Sequence, residues 1–258
     1  MRLRKATLAV TAAVGILFGT ATAASPADAA PAILADTTTP GSSIWATAPA
    51  SWTTLYGQGQ RWTYAFSSLG TFTNGGKNQA FPQMSADAQA AGLLVGAVHD
   101  ARPDSSGNMR GDGFDQAQTY IQATNNSEEF PFDTLDLPGV VFLDKVIITS
   151  GGSGLSCPRS TPALLADWLR GFNEGYSLAK DNKPVIATTA SFWKDCMGNT
   201  TEFADQPLML RPEGTGGASP VGPVGGWTTP TFYHVRTGLP QLYSGSEEQL
   251  RAFADALN

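Results

Sequence analysis

From about position 85 onward the chain alternates polar stretches with short apolar runs bounded by turn residues, as strands buried on both faces require. Residues 93–98 form one such run, preceded by a helix that Ser85 caps and Gly92 stops. Residues 140–148 and 183–190 are two more, and 206–211 and 231–236 are shorter ones. Between them, residues 104–113 read as a polar loop, 114–123 as a helix, 151–160 as a Gly/Ser loop, and 162–178 as an amphipathic helix opened by Pro162. Residues 247–257 read as a terminal helix. Upstream, residues 60–69 carry aromatics at helical spacing before Gly70, and 71–73 suggest a short strand. Residues 32–51, rich in Thr, Pro, Ser and Ala without periodicity, read as an extended lead-in.

Strands that alternate with helices imply a parallel sheet with right-handed crossovers. No Gly-x-Gly-x-x-Gly turn follows any of them, so an open nucleotide-binding sheet lacks its motif. The expected fold is α/β, a single TIM-like (β/α) barrel over residues 52–258. Functional groups of such barrels gather at the C-terminal strand ends. The sequence places His99 and Asp100, Asp144 and Lys145, Trp193, and Tyr233 and His234 there.

Composition narrows the setting. Arg2, Arg4 and Lys5, the apolar run 8–18, and Ala27-Asp28-Ala29 ahead of Ala30-Pro31 read as a signal peptide over residues 1–29, with an earlier cut after Ala23 as the alternative. Residues 30–51 then form the extended segment. No later run is long and apolar enough to span a bilayer, so the expected product is secreted. A formal charge of −6 without a basic run argues against nucleic acid and anionic lipid as partners and suits a neutral glycan. Cys157 and Cys196 are the only cysteines, and an even pair in an exported chain reads as a disulfide. With only His99 and His234 beside them, the ligand set for a zinc site is thin, and neither metal nor cofactor is expected. A monomer is expected.

Several segments then converge on one family. Gln58-Gly59-x-x-Trp62, residues 92–104 (Gly-Leu-Leu-Val-Gly-Ala-Val-His-Asp-Ala-Arg-Pro-Asp), residues 184–189 (Pro-Val-Ile-Ala-Thr-Thr) and Phe192-Trp193-Lys194-Asp195-Cys196-Met197-Gly198-Asn199 resemble glycoside hydrolase family 25, the secreted Chalaropsis-type lysozymes. The likeness continues through Pro207-Leu208, Gly226-Trp227, Thr231-Phe232 and Ser244-Gly245-Ser246, and so covers nearly the whole chain from about Tyr56. Cys157 and Cys196 fall where that group carries its disulfide. The resemblance implies a flattened, helix-poor barrel and N-acetylmuramidase activity on peptidoglycan or a related cell-wall glycan.

It also implies acids that this chain lacks. The family places an Asp on the first strand, Asp-x-Glu after Leu-Pro on a later strand, and a further Asp near the last. Laid on residues 137–144, the Leu-Pro-x-x-x-Asp-x-Glu pattern puts Phe142 at the Asp position and Asp144 at the Glu position. Residues 52–56 hold no first-strand Asp, and Pro240-Gln241-Leu242-Tyr243 replaces the acidic approach to the last segment. Glycoside hydrolysis needs two groups about 5 to 9.5 Å apart. Asp144 as proton donor with Asp100 as relocated partner is one expectation, with His99, Arg102, Trp193, Tyr233 and His234 contacting the glycan. The other is a non-catalytic glycan-binding relative whose hydrolysis is reduced or lost.

Overall fold

The structure, a computed structural model, describes residues 38–44, 49, 51–71, 76–104, 107–125, 135–144, 157, 160–213, 223–234 and 241–256. Lys145, the leader, and the whole of the 126–134, 145–156, 214–222 and 235–240 segments lie outside those residues, as does most of the strand expected at 71–73. In chain order the elements are β1 (Thr39–Ile44), α1 (Trp52–Gly57), β2 (Trp62–Leu69), β3 (Gly76–Lys77), α2 (Phe81–Ala90), β4 (Leu94–Asp100), α3 (Met109–Thr124), β5 (Val140–Phe142), α4 (Pro162–Ser177), β6 (Val185–Thr189), α5 (Ala190–Asp195), β7 (Leu208–Arg211), β8 (Phe232–His234), β9 (Gln241–Tyr243) and α6 (Glu247–Asp255).

Eight strands close into a barrel because β1 pairs with both β2 and β9. Neighbours from β1 through β2, β4, β5, β6 and β7 to β8 are parallel. Strand β9 runs antiparallel to both of its partners, and β3 adds a short antiparallel partner outside β2. The expected barrel is therefore present, but mixed rather than wholly parallel.

Side-chain alternation along the strands explains their continuous apolar runs. Val140 and Phe142, Val185 and Ala187, and Met209 join Trp62, Tyr64 and Phe232 in an inner cluster. Val141, Ile186, Leu208 and Leu210 face the other way, into an outer cluster with Leu165, Leu169 and Phe172 of α4 and Ala117 of α3. Helices α3 and α4 approach closely where Gly113 and Gly171 meet: a Cβ on either glycine would run into the facing helix's backbone, at Trp168 and Arg110 respectively.

Several expectations are corrected. Residues 60–69 form a strand rather than a helix, because Trp62, Tyr64 and Phe66 recur every second residue and the first two enter the inner cluster. The segment expected as an extended lead-in holds β1. Helix α2 starts at Phe81, with Pro82 in its first turn, and Ser85 bonds back to the Pro82 carbonyl rather than capping. Helix α3 starts at Met109, capped by Asn108, whose Oδ1 accepts from Gly111 N at 3.1 Å. Strand β9 was not anticipated at all.

Candidate functional site

Strands β4, β5, β6 and β7 end on one side of the barrel, and antiparallel β9 begins there. Ser43 of β1, Val98, Val140, Phe142, Ala187, Met209, Arg211 and Gln241 line a cavity of about 20 Å³ at this mouth, room for about one water. First-strand residue Ser43 donates its hydroxyl to Gln241 Oε1 at 2.9 Å, and β1 holds no acid. Strand alternation that turns Phe142 inward also brings Asp144, two residues on, to the same side.

The charged centre of the mouth is Arg211, the last residue of β7. Its Nη1 donates to Asp144 Oδ2 at 2.9 Å, with the two side chains 27 % and 18 % exposed. Its guanidinium lies 4.2 Å from the centroid of the Phe142 ring, a cation–π contact at the cavity. Burial lowers the Arg211 pKa, while the charges of Asp144 and Asp100 raise it. Asp100, the last residue of β4, is buried. Both expected acids therefore act on one cation.

A third carboxylate stands close by in sequence. Glu213 follows Arg211 by two residues and accepts from Ser191 N at 2.7 Å and Ser191 Oγ at 2.6 Å, which fixes its orientation against the start of α5. Arg211, Ser43 and Glu213 are not among the residues the sequence singles out, and Gln241 enters there only within the stretch that replaces the acidic approach. Arg211 carried a usable signal, since it ends a predicted strand where a barrel's functional groups lie.

The other expected contacts sit elsewhere. His99 is fully buried on the outer side of β4, its ring 5.4 Å from that of Phe172. Gln116 Nε2 donates to the Arg102 carbonyl at 2.7 Å and to Asp112 Oδ2 at 2.9 Å. That leaves Gln116 Oε1 to accept from His99 Nε2 at 3.2 Å and from Arg102 N at 2.9 Å. Nδ1 of His99 then accepts from the Ser68 hydroxyl at 2.9 Å. Burial above all, with the Arg102 charge adding to it, lowers the His99 pKa to about 4 against the Gln116 bond. Arg102 is half-buried.

Trp193 is fully buried too, donating Nε1 to the Thr200 carbonyl at 3.0 Å and packing edge-on against Trp227 at 4.9 Å. Tyr233 belongs to the outer cluster, because inward-facing Phe232 precedes it. His234 pairs through its backbone with Gln241, and its side chain lies outside the described residues. Cys157 and Cys196 are joined in a disulfide, with Cα atoms 5.4 Å apart, that ties the stretch after β5 to the end of α5. Among the described residues, no group of three His, Cys, Asp or Glu could hold a metal ion, and no helix is long and apolar enough to cross a membrane.

No protein-family model matches the sequence. The chain is nevertheless 28% identical over 184 residues to an N,O-diacetylmuramidase of Arthroderma benhamiae, covering 69% of this chain and 71% of that protein. It is 28% identical over 155 residues to Lysozyme M1 of Streptomyces globisporus, covering 60% of this chain and 47% of the other. A family GH25 lysozyme from Aspergillus fumigatus superposes with a TM-score of 0.66 at 25% identity, over 84% of this chain and 99% of that one. In sequence and in barrel alike, the chain is similar to the family 25 glycoside hydrolases.

Proposed function

We propose that this chain is a secreted, peptidoglycan-directed, lysozyme-like protein whose barrel mouth binds cell-wall glycan with reduced or lost hydrolysis. Kinship to muramidases and lysozymes supports the wall as its target. The observation that carries the loss of hydrolysis is the lining of the mouth: Ser43, Phe142 and Gln241 stand beside an Asp144 already paired with Arg211. A glycosidase needs one carboxyl that gives a proton and a second group that attacks, activates water or stabilises charge. An Asp bonded to a guanidinium is held in its charged form and is a poor proton donor.

A second reading, an active muramidase with Asp144 and Asp100 as a relocated pair, is favoured by the fact that both carboxylates act on Arg211 and so share one mouth. Two measurements on purified walls separate the readings: co-sedimentation of the protein, and clearing of turbidity. Binding without clearing is the expected result. Clearing by the wild type that is abolished in Asp144→Asn would establish the second reading, and failure to sediment with any wall would remove the peptidoglycan assignment.

A further inference from the structure

This inference rests on the reading that the barrel mouth is the wall-facing site, and it concerns what sets that mouth to bind rather than to cleave. Arg211 meets Asp144 from the end of β5 at 2.9 Å and feels Asp100 from the end of β4. Uncharged Ser43 of β1 and Gln241 of β9 line the same cavity, and Glu213, held by Ser191, follows on its own segment. Two carboxylates that converge with nothing positive beside them cannot both stay ionised, and the proton they retain is the one an acid catalyst hands over. Here the positive charge sits on a guanidinium, which keeps its protons at any workable pH. The Phe142 ring, 4.2 Å from it, fixes that charge in place. We propose that Arg211 is a positioning residue that stands in for the transferable proton, holding Asp144 as a permanent carboxylate and so suppressing hydrolysis at the mouth.

The prediction is read on Asp144 itself. Carboxyl carbon NMR of the full chain, with Asp144→Asn to assign the signal, follows its titration. In the wild type the midpoint lies below the ordinary aspartate value of about 3.9. Arg211→Met raises it by about one unit or more, and Arg211→Lys, which keeps the charge without the planar fork, recovers part of the shift. The same Arg211→Met protein clears walls near about pH 5, where the freed acid is partly protonated, at about ten times the background seen with wild type or more. A wild-type midpoint at or above the ordinary value overturns the proposal, and needs no variant to fold. So does an unchanged midpoint in Arg211→Met, or a shifted midpoint without faster clearing in a variant that still sediments with walls. If neither protein sediments with walls while the midpoints shift as stated, the wall assignment fails and the electrostatic role of Arg211 stands.

Discussion

Gln116 Oε1 accepts from His99 Nε2 at 3.2 Å in the buried space beneath α3, and the burial of this imidazole, which the Gln116 bond only partly opposes, makes the fold sensitive to acid. His99 has its pKa lowered from 6.5 to about 4 in the folded chain. The unfolded chain therefore binds the extra proton first. Stability is fully present above about pH 6.5 and falls as the pH drops toward about 4, by up to roughly 3 kcal/mol. Urea midpoints measured across this window should decline in the wild type and decline less in His99→Gln, which cannot titrate. A parallel decline in both proteins would move the acid sensitivity to other groups.

A Cβ on Gly171 would run into the Arg110 carbonyl across the α3–α4 contact, whereas one on Gly57 would meet nothing within 4 Å. Gly171→Ala should destabilise by about 1–3 kcal/mol, since helices in a packed pair must separate to admit a methyl. Gly57→Ala, at the end of α1, should change stability by no more than about 1 kcal/mol and in the favourable direction. Denaturant melts of both variants check the contrast.

Reducing the Cys157–Cys196 bond releases a loop closed over a sequence separation of 39. Loss of about 3–4 kcal/mol is expected from loop entropy, seen as a lower melting temperature with reductant and in the Cys157→Ser/Cys196→Ser protein. A melting temperature indifferent to reductant would mean that packing of Trp193 against Trp227 holds α5 unaided.

Arg211 and Asp144 should be energetically coupled, because each is largely enclosed and removal of either deletes the 2.9 Å ion pair while the other's charge stays enclosed. Arg211→Met and Asp144→Leu singly should each cost more than half of what the double variant costs, with a coupling of about 1–3 kcal/mol. Additive costs would reduce the pair to a surface contact.

The barrel was legible in the sequence where strands are buried on both faces: 93–98, 140–148, 183–190 and 206–211 all overlap observed strands. Ordinary alternation was harder to see in β2, because buried Thr63 and Ala65, the second of them apolar, separate its three aromatics. Strands β1 and β9 escaped notice for a different reason. Neither has an apolar run of its own; Thr39–Ile44 and Gln241–Tyr243 become strands by closing a sheet whose other edges are already made. The acids Asp100 and Asp144 were found from their strand-end positions, whereas Arg211, the group that joins them, requires three-dimensional proximity between β5 and β7. The burial of His99 away from the mouth depends on which strand face it occupies, and a one-residue change in phase decides that; Trp193 lies past the end of β6, in α5.

Closure through β1 and β9 has a consequence for the order of events in folding. Thr39 Oγ1 donates to the Gly245 carbonyl across 206 residues, and Leu250 and Ala254 of α6 complete the inner cluster. The barrel seam thus joins its earliest strand to its latest, so the ring cannot shut until nearly all of the described chain is present. Folding should be slow for its size, with an unclosed intermediate that exposes β1 and β8 as free edges. A chain truncated before β9 should persist in that open state, and aggregate through those edges.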